Sequence, residues 1–188
     1  MNNSLDKFNR LVDALGELPS IGKKSATRLA YFMVMNDSFV GMKISNAIED
    51  ALGSLKQCQK CGGMSEDELC YICCDERRDT TLLCIVENAK DILLLEENGL
   101  FDGRYFVLES LDEVTILQLI RLASDISEIV FAITPSIAND AVILYIEDKL
   151  SDFDISFSKI AQGVPTGVSL ENIDLLSLTR ALEDRVRV

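Results

Sequence analysis

The chain has no histidine and no tryptophan, and only three prolines among its 188 residues. Without an imidazole there is no usual general base, which excludes Ser-His and Cys-His hydrolases and every histidine-based metal triad. Long apolar runs are also missing. Runs such as residues 129–133 have strand length, and none approaches the ~18 uncharged apolar residues of a membrane span. No membrane partner is expected. The opening Met1-Asn2-Asn3-Ser4-Leu5-Asp6 lacks the basic, apolar and small-residue order of a secretory signal, so the expected location is cytoplasmic. The composition, 48% hydrophobic and 26% charged, is that of a globular protein with chain enough for one large domain or two small ones.

Positive charge is scarce, and its placement matters more than the total of −13. Residues 1–35 carry five basic and three acidic side chains, a net of +2. Residues 80–188 carry 8 basic and 19 acidic, a net of −11. Such asymmetry suits a chain whose first part touches phosphate while its second part meets a basic partner.

Apolar residues at Leu5, Phe8, Leu11, Val12 and Leu15 predict a helix over residues 4–16. Leu18-Pro19-Ser20-Ile21-Gly22 is a turn, and further helices are expected over residues 23–35 and 39–55. Cysteine and turn residues then dominate residues 58–74. From Thr80 the pattern alternates: strands over 82–86, 105–108, 128–133 and 155–160, and helices over 89–98, 113–124, 139–150 and 175–186. This βα alternation predicts a mostly parallel sheet with helices on both faces.

Cys58-x2-Cys61 and Cys70-x2-Cys73 are separated by eight residues, and two glycines follow the first pair. Each pair forms a knuckle that aims two thiolates at one point, and two knuckles complete a tetrahedron around Zn²⁺. Four thiolates leave no open position, so one structural zinc per chain is expected. Cys74 is an alternative to Cys73, although Cys73 keeps the two-residue gap. Cys84 lies inside an apolar strand and reads as a small buried hydrophobe.

Residues 15–26 have the form of a helix-hairpin-helix. The turn frees backbone N–H groups at the start of the second helix, where they can meet a phosphate oxygen. Lys23, Lys24 and Arg28 are the nearby cations, and Lys24 and Arg28 share a helix face. These three are the candidate DNA contacts, reading the backbone and not the sequence. Glu87 ends the first strand of the α/β half, at the carboxyl edge where such sheets carry their sites. A Mg²⁺-dependent site there needs several clustered carboxylates, yet in residues 134–140 only Asp140 is acidic. A non-catalytic edge is the expectation.

Taken in this order, the chain resembles the RecR family of bacterial recombination mediators over nearly its whole length. The resemblance rests on the hairpin at residues 18–28, the four-cysteine finger, Arg78-Asp79, Cys84-Ile85-Val86-Glu87, the stretch Ile160-Ala-Gln-Gly-Val-Pro-Thr-Gly167, and Leu170-Glu171 with Asp174. Where that family carries Glu-Gly-Glu after the third strand, this chain has Ala138-Asn139-Asp140. The Gly/Pro-rich stretch usual after the second strand is also missing from residues 108–116.

The resemblance implies an α+β multi-part chain. Its parts are a helix-hairpin-helix domain (1–56), a zinc finger (57–79), a Toprim-like parallel-sheet domain (80–161) and a C-terminal segment with a helix (162–188). It implies a DNA repair protein that is not an enzyme. Such a protein acts with RecO, and in some bacteria RecF, to load the RecA recombinase onto single-stranded DNA. It further implies a homo-oligomeric ring, commonly a tetramer, with Lys23, Lys24 and Arg28 facing DNA and the acidic half facing RecO. Glu87 and Asp140 are then a partner surface or a vestigial metal edge. The rival reading is a Mg²⁺-dependent Toprim nuclease or primase-like enzyme built on those two carboxylates.

Overall fold

The computed structural model describes residues 5–161, 164, 167–173 and 175–183. Within the RecR-like stretch, Gln162, Gly163, Pro165, Thr166 and Asp174 lie outside the described residues, as does the end of the closing helix expected to reach residue 186. The chain forms two compact units, one ending at Leu55 and one beginning at Lys56.

In the first unit, α1 (Asp6–Gly16) and α2 (Lys23–Tyr31) are packed as a hairpin. Its core is small: Val12, Ala26 and Ala30 are buried, with Phe8, Leu11, Leu15 and Ile21 against them. Two alanines on the inner face of α2 let the helices approach closely. The expected helix over 23–35 is α-helical only as far as Tyr31. Phe32–Asn36 then widens into a π-helical turn, closed by the Asp37 N–H donating to the Phe32 carbonyl at 2.8 Å. The Asp37 carboxylate next caps α3 (Ser38–Ser54) by accepting from the Val40 N–H at 3.1 Å.

The second unit begins with a finger. A two-residue ribbon, β1 (Lys56–Gln57) and β2 (Met64–Ser65), is followed by a single helical turn, α4 (Tyr71–Cys74). These pieces are too short for any periodicity to announce them in the sequence. The α/β part follows: β3 (Leu82–Val86), α5 (Ala89–Glu97), β4 (Arg104–Val107), α6 (Glu113–Ala123), β5 (Glu128–Ala132), α7 (Ile137–Lys149) and β6 (Ser156–Lys159). A 3₁₀ turn (Leu170–Asn172) and α8 (Leu175–Glu183) close the described chain. The α7 helix starts two residues earlier than expected because the Ser136 hydroxyl accepts from the Asn139 N–H at 3.1 Å and so fixes its first turn.

The four strands are parallel, in the order β4-β3-β5-β6. Strand alternation sorts their side chains into two cores. Leu83, Ile85, Phe106, Ile129 and Phe131 join Leu119 of α6 and Ile146 of α7 on one face. Cys84, Val86, Tyr105 and Val107 turn to the other face, where they meet Ile92 of α5 and three cysteines of the finger. The finger is therefore part of the layer that covers the sheet, beside α5.

Arg78 ties the end of the finger to that layer. Its guanidinium donates to the Gly103 carbonyl at 2.9 Å and the Phe101 carbonyl at 3.3 Å, and it pairs with Glu96. The Tyr105 hydroxyl donates to the other Glu96 oxygen at 2.8 Å. Gly103 has no alternative: a Cβ there would stand 2.5 Å from the Leu82 carbonyl oxygen. Glu96→Ala leaves a half-buried guanidinium without its anion and should lower stability by about 2 kcal/mol, a typical loss for a charged hydrogen bond. Urea unfolding measures this, and an unchanged midpoint would show that Arg78 is satisfied by the two carbonyls alone.

Candidate metal centre and nucleic-acid interface

The metal centre is built from turns. Gly62 adopts φ of +75°, a conformation that costs glycine little, and a Cβ there would press on Val107 at 3.2 Å. This turn folds residues 58–63 into a knuckle closed by Gly62 N–H to Cys58 O at 2.9 Å and Cys58 N–H to Gly63 O at 2.7 Å. The second knuckle is the α4 turn, begun by Cys70. The two are joined by Gln59 N–H to Glu68 O at 2.9 Å. The first is anchored to the sheet by Val107 N–H donating to Cys61 O at 2.8 Å.

The result brings the sulfurs of Cys58, Cys61, Cys70 and Cys73 within 4.8 Å of one another. Cys61 and Cys70 are 3.6 Å apart, close to the edge of about 3.8 Å that four sulfurs 2.3 Å from a tetrahedral zinc would define. Backbone N–H groups point at two of the sulfurs, Gly63 at Cys61 and Cys70 at Cys58, each at 3.3 Å. The Gly63 donor favours the Cys61 thiolate. The Cys70 thiol is held down to about 2 because it accepts from Cys61 and Cys73. Cys61 is pushed up to about 12 by sharing its proton with Cys70, and Cys73 is pushed up by sharing with Cys61 and Cys70. A divalent cation held by the four sulfurs would replace those shared protons.

One zinc ion fits this set of donors, and its chemistry is structural, since four protein ligands close the tetrahedron. The choice between Cys73 and Cys74 is settled by direction: Cys74 is exposed and stands outside the cluster. Cys84 lies nearby in the same core, 2% exposed, with its thiol pushed up to about 12 by burial alone.

The hairpin places its cations differently. Lys23, Lys24 and Arg28 are all exposed on α2. Ala26, the buried residue between them, is two positions from each of Lys24 and Arg28, which puts both on the far side of the helix from the core. Ser20 turns the chain at φ of +65°, and Ile21 N–H reaches Leu18 O at 3.1 Å, so α2 starts abruptly at Lys23. Its first N–H groups have no carbonyl a turn behind them.

Glu87 and Asp140 face different neighbours. The Glu87 carboxylate accepts from the Thr134 N–H at 2.9 Å, from the Thr134 hydroxyl, and from the Asn139 amide at 2.9 Å. The Thr134 donors chiefly, with Asn139, hold its carboxyl below the usual carboxylate range. Asp140 lies 3.4 Å from Lys159. The sequence reading missed Thr134 and Asn139 as partners of Glu87. The signal was present, in a threonine directly after the third strand and an amide where the resembled family carries a Glu-Gly-Glu.

Comparison with known proteins follows the same division. The family model described as RecR, helix-hairpin-helix matches residues 8–52, and the model for the RecR four-cysteine zinc finger domain matches residues 55–75. The chain is 54% identical over 190 residues to the recombination protein RecR of a Nitratiruptor species, covering 100% of both chains. It is 50% identical over 190 residues to that of Campylobacter jejuni subsp. doylei, again with 100% of both covered. To that of Helicobacter pylori it is 47% identical over 187 residues, covering 98% of this chain and 97% of the relative.

Proposed function

Because the chain belongs to the RecR family of recombination proteins, we propose that it is a mediator that binds DNA as a ring of identical subunits, most simply four. In this reading it works with RecO, and with RecF where present, to help load RecA onto single-stranded DNA. It performs no catalysis of its own. The observation that carries the reading is the hairpin, whose small alanine core turns Lys23, Lys24 and Arg28 outward. Contacts of this kind hold the nucleic-acid backbone without reading bases.

The state of α3 supports assembly. None of its seventeen residues is buried, although it carries Phe39, Met42, Ile44, Ile48 and Leu52. Phe39 is 76% exposed and Leu52 81%. A helix this apolar with no buried residue marks an interaction surface, and a second copy is the occupant that the ring requires. Repeating three cations around a ring raises avidity without any new contact, which an acidic subunit needs.

The hydrogen bonds at Glu87 support the non-enzymatic reading, since both its oxygens are committed to Thr134 and Asn139. The test is RecA filament assembly on single-stranded DNA coated with its binding protein. Adding this protein together with RecO should shorten the lag, and neither alone should do so. Wild type and Glu87→Ala should alike leave duplex DNA uncut in Mg²⁺. Cleavage by wild type that disappears in the variant would make the protein a nuclease instead.

A further inference from the structure

A small cavity lies where the finger meets the edge strand β4. Its lining includes Lys60 and Cys73 of the finger, Arg104 of β4, and the apolar Leu122 and Ile126. Lys60 and Arg104 are both half-buried, and neither side chain has an ion pair or a hydrogen bond among the described residues. No acidic side chain lines the cavity among those residues either. A cation withdrawn from water is costly unless a negative group faces it. The cavity measures about 10 Å³, the room of a single water, so a phosphate does not fit. The negative group available on its wall is the Cys73 sulfur.

The four zinc ligands are unequally supported. Cys58, Cys61 and Cys70 are buried, whereas Cys73 is half-buried. Cys58 accepts from the Cys70 N–H and Cys61 from the Gly63 N–H, each at 3.3 Å, and the Cys73 N–H helps to hold the Cys70 thiol down. No N–H donates to the Cys73 sulfur among the described residues. Zn²⁺ with four thiolates is a dianion, and two cations are what neutralise it. Groups behind the ligands hold a metal in this way in general, by fixing and balancing the atoms that touch it.

We propose that Lys60 and Arg104 are positioning residues of the zinc site, which balance the charge of the metal tetrathiolate at Cys73, the ligand without a backbone donor. Without them Cys73 is the first sulfur to let go. The test is competition for zinc between the full chain and a chromogenic chelator, pyridylazo resorcinol. Lys60→Gln and Arg104→Gln should each weaken zinc binding about tenfold, the low end of what such a supporting group is worth. Lys60→Arg and Arg104→Lys should restore it, because they return the charge. Lys56→Gln removes the same charge from β1 of the same finger, away from the cavity, and should leave zinc affinity as it is. N-ethylmaleimide then reports which ligand is released, each thiolate adding across the maleimide double bond while a proton goes from water to the adjacent carbon. Mass mapping should find the exposed Cys74 modified first in every form. The next should be Cys73, about tenfold faster in either glutamine variant than in wild type, in step with the lost zinc affinity.

Unchanged zinc affinity in Lys60→Gln overturns the proposal, as does an equal loss in Lys56→Gln, which would make the effect a diffuse field. Arg104→Lys as weak as Arg104→Gln also overturns it, because the loss would then be one of packing. So does modification of Cys58, Cys61 or Cys70 ahead of Cys73. If Arg104→Gln does not fold, the Lys60 variants still decide, since Lys60 belongs to a finger turn and to neither core of the sheet.

Discussion

Cys58→Ser should release the zinc and cost the second unit much of its stability. The finger has no core of its own: its three buried cysteines share one cluster with Val86, Ile92, Tyr105 and Val107. Losing the ion therefore leaves free thiols under one face of the sheet as well as a loosened finger. Structural zinc supplies folding free energy directly, about 10 kcal/mol or more in isolated fingers. If only about 4 kcal/mol of that reaches the global transition, the midpoint falls by about 8–16 °C for a chain of this length. Elemental analysis should give one zinc per chain for wild type and for Cys74→Ser, and none for Cys58→Ser. Retention of zinc by Cys58→Ser, or its loss from Cys74→Ser, would mean a different ligand set. Acid should release the metal too, because zinc binds the thiolates and each proton that returns to a sulfur competes with it.

How much of this was legible in the sequence depends on how local each signal was. The cysteine spacing predicted the cluster because two tight turns fix four sulfurs almost without help from the rest of the chain. The strand at residues 82–86 was equally plain, since a parallel strand buried on both faces has to be continuously apolar. The sequence could not reveal that alternate residues of that strand serve different layers, with Cys84 and Val86 facing the finger and Leu83 and Ile85 facing α6 and α7. That assignment depends on strand order, which is a long-range property. The Arg78–Glu96–Tyr105 group was hidden for the same reason, as its members come from a linker, a helix and a strand. The π-helical turn at Phe32–Asn36 escaped because its composition, Phe-Met-Val-Met-Asn, continues a helical pattern without interruption. Glu87 was placed correctly at a strand end, but its chemistry is set by Thr134 and Asn139, some fifty residues away in the chain.

Lys24→Glu combined with Arg28→Glu should abolish DNA binding while sparing zinc and assembly. Both side chains are exposed, and Ala26 and Ala30 keep the hairpin core on the opposite side of α2, so charge reversal has no packing to disturb. The wild-type interaction should be sequence-independent and weak, because a chain of net charge −13 gives DNA little long-range attraction. Each neutralised phosphate releases counterions and contributes a slope of about −0.7 to −0.9 in log affinity against log salt. Losing two contacts per engaged subunit should therefore flatten the slope by about 1.4 to 1.8 for each subunit that touches DNA. Reversal adds repulsion to that loss, and in the proposed ring avidity would repeat the same penalty at every copy. Fluorescence anisotropy with labelled single strands of different sequence, titrated with salt, measures both affinity and slope. If the double variant binds like wild type across the titration, the hairpin serves only packing or assembly, and the phosphate contacts must be sought on other cations of the chain or on RecO.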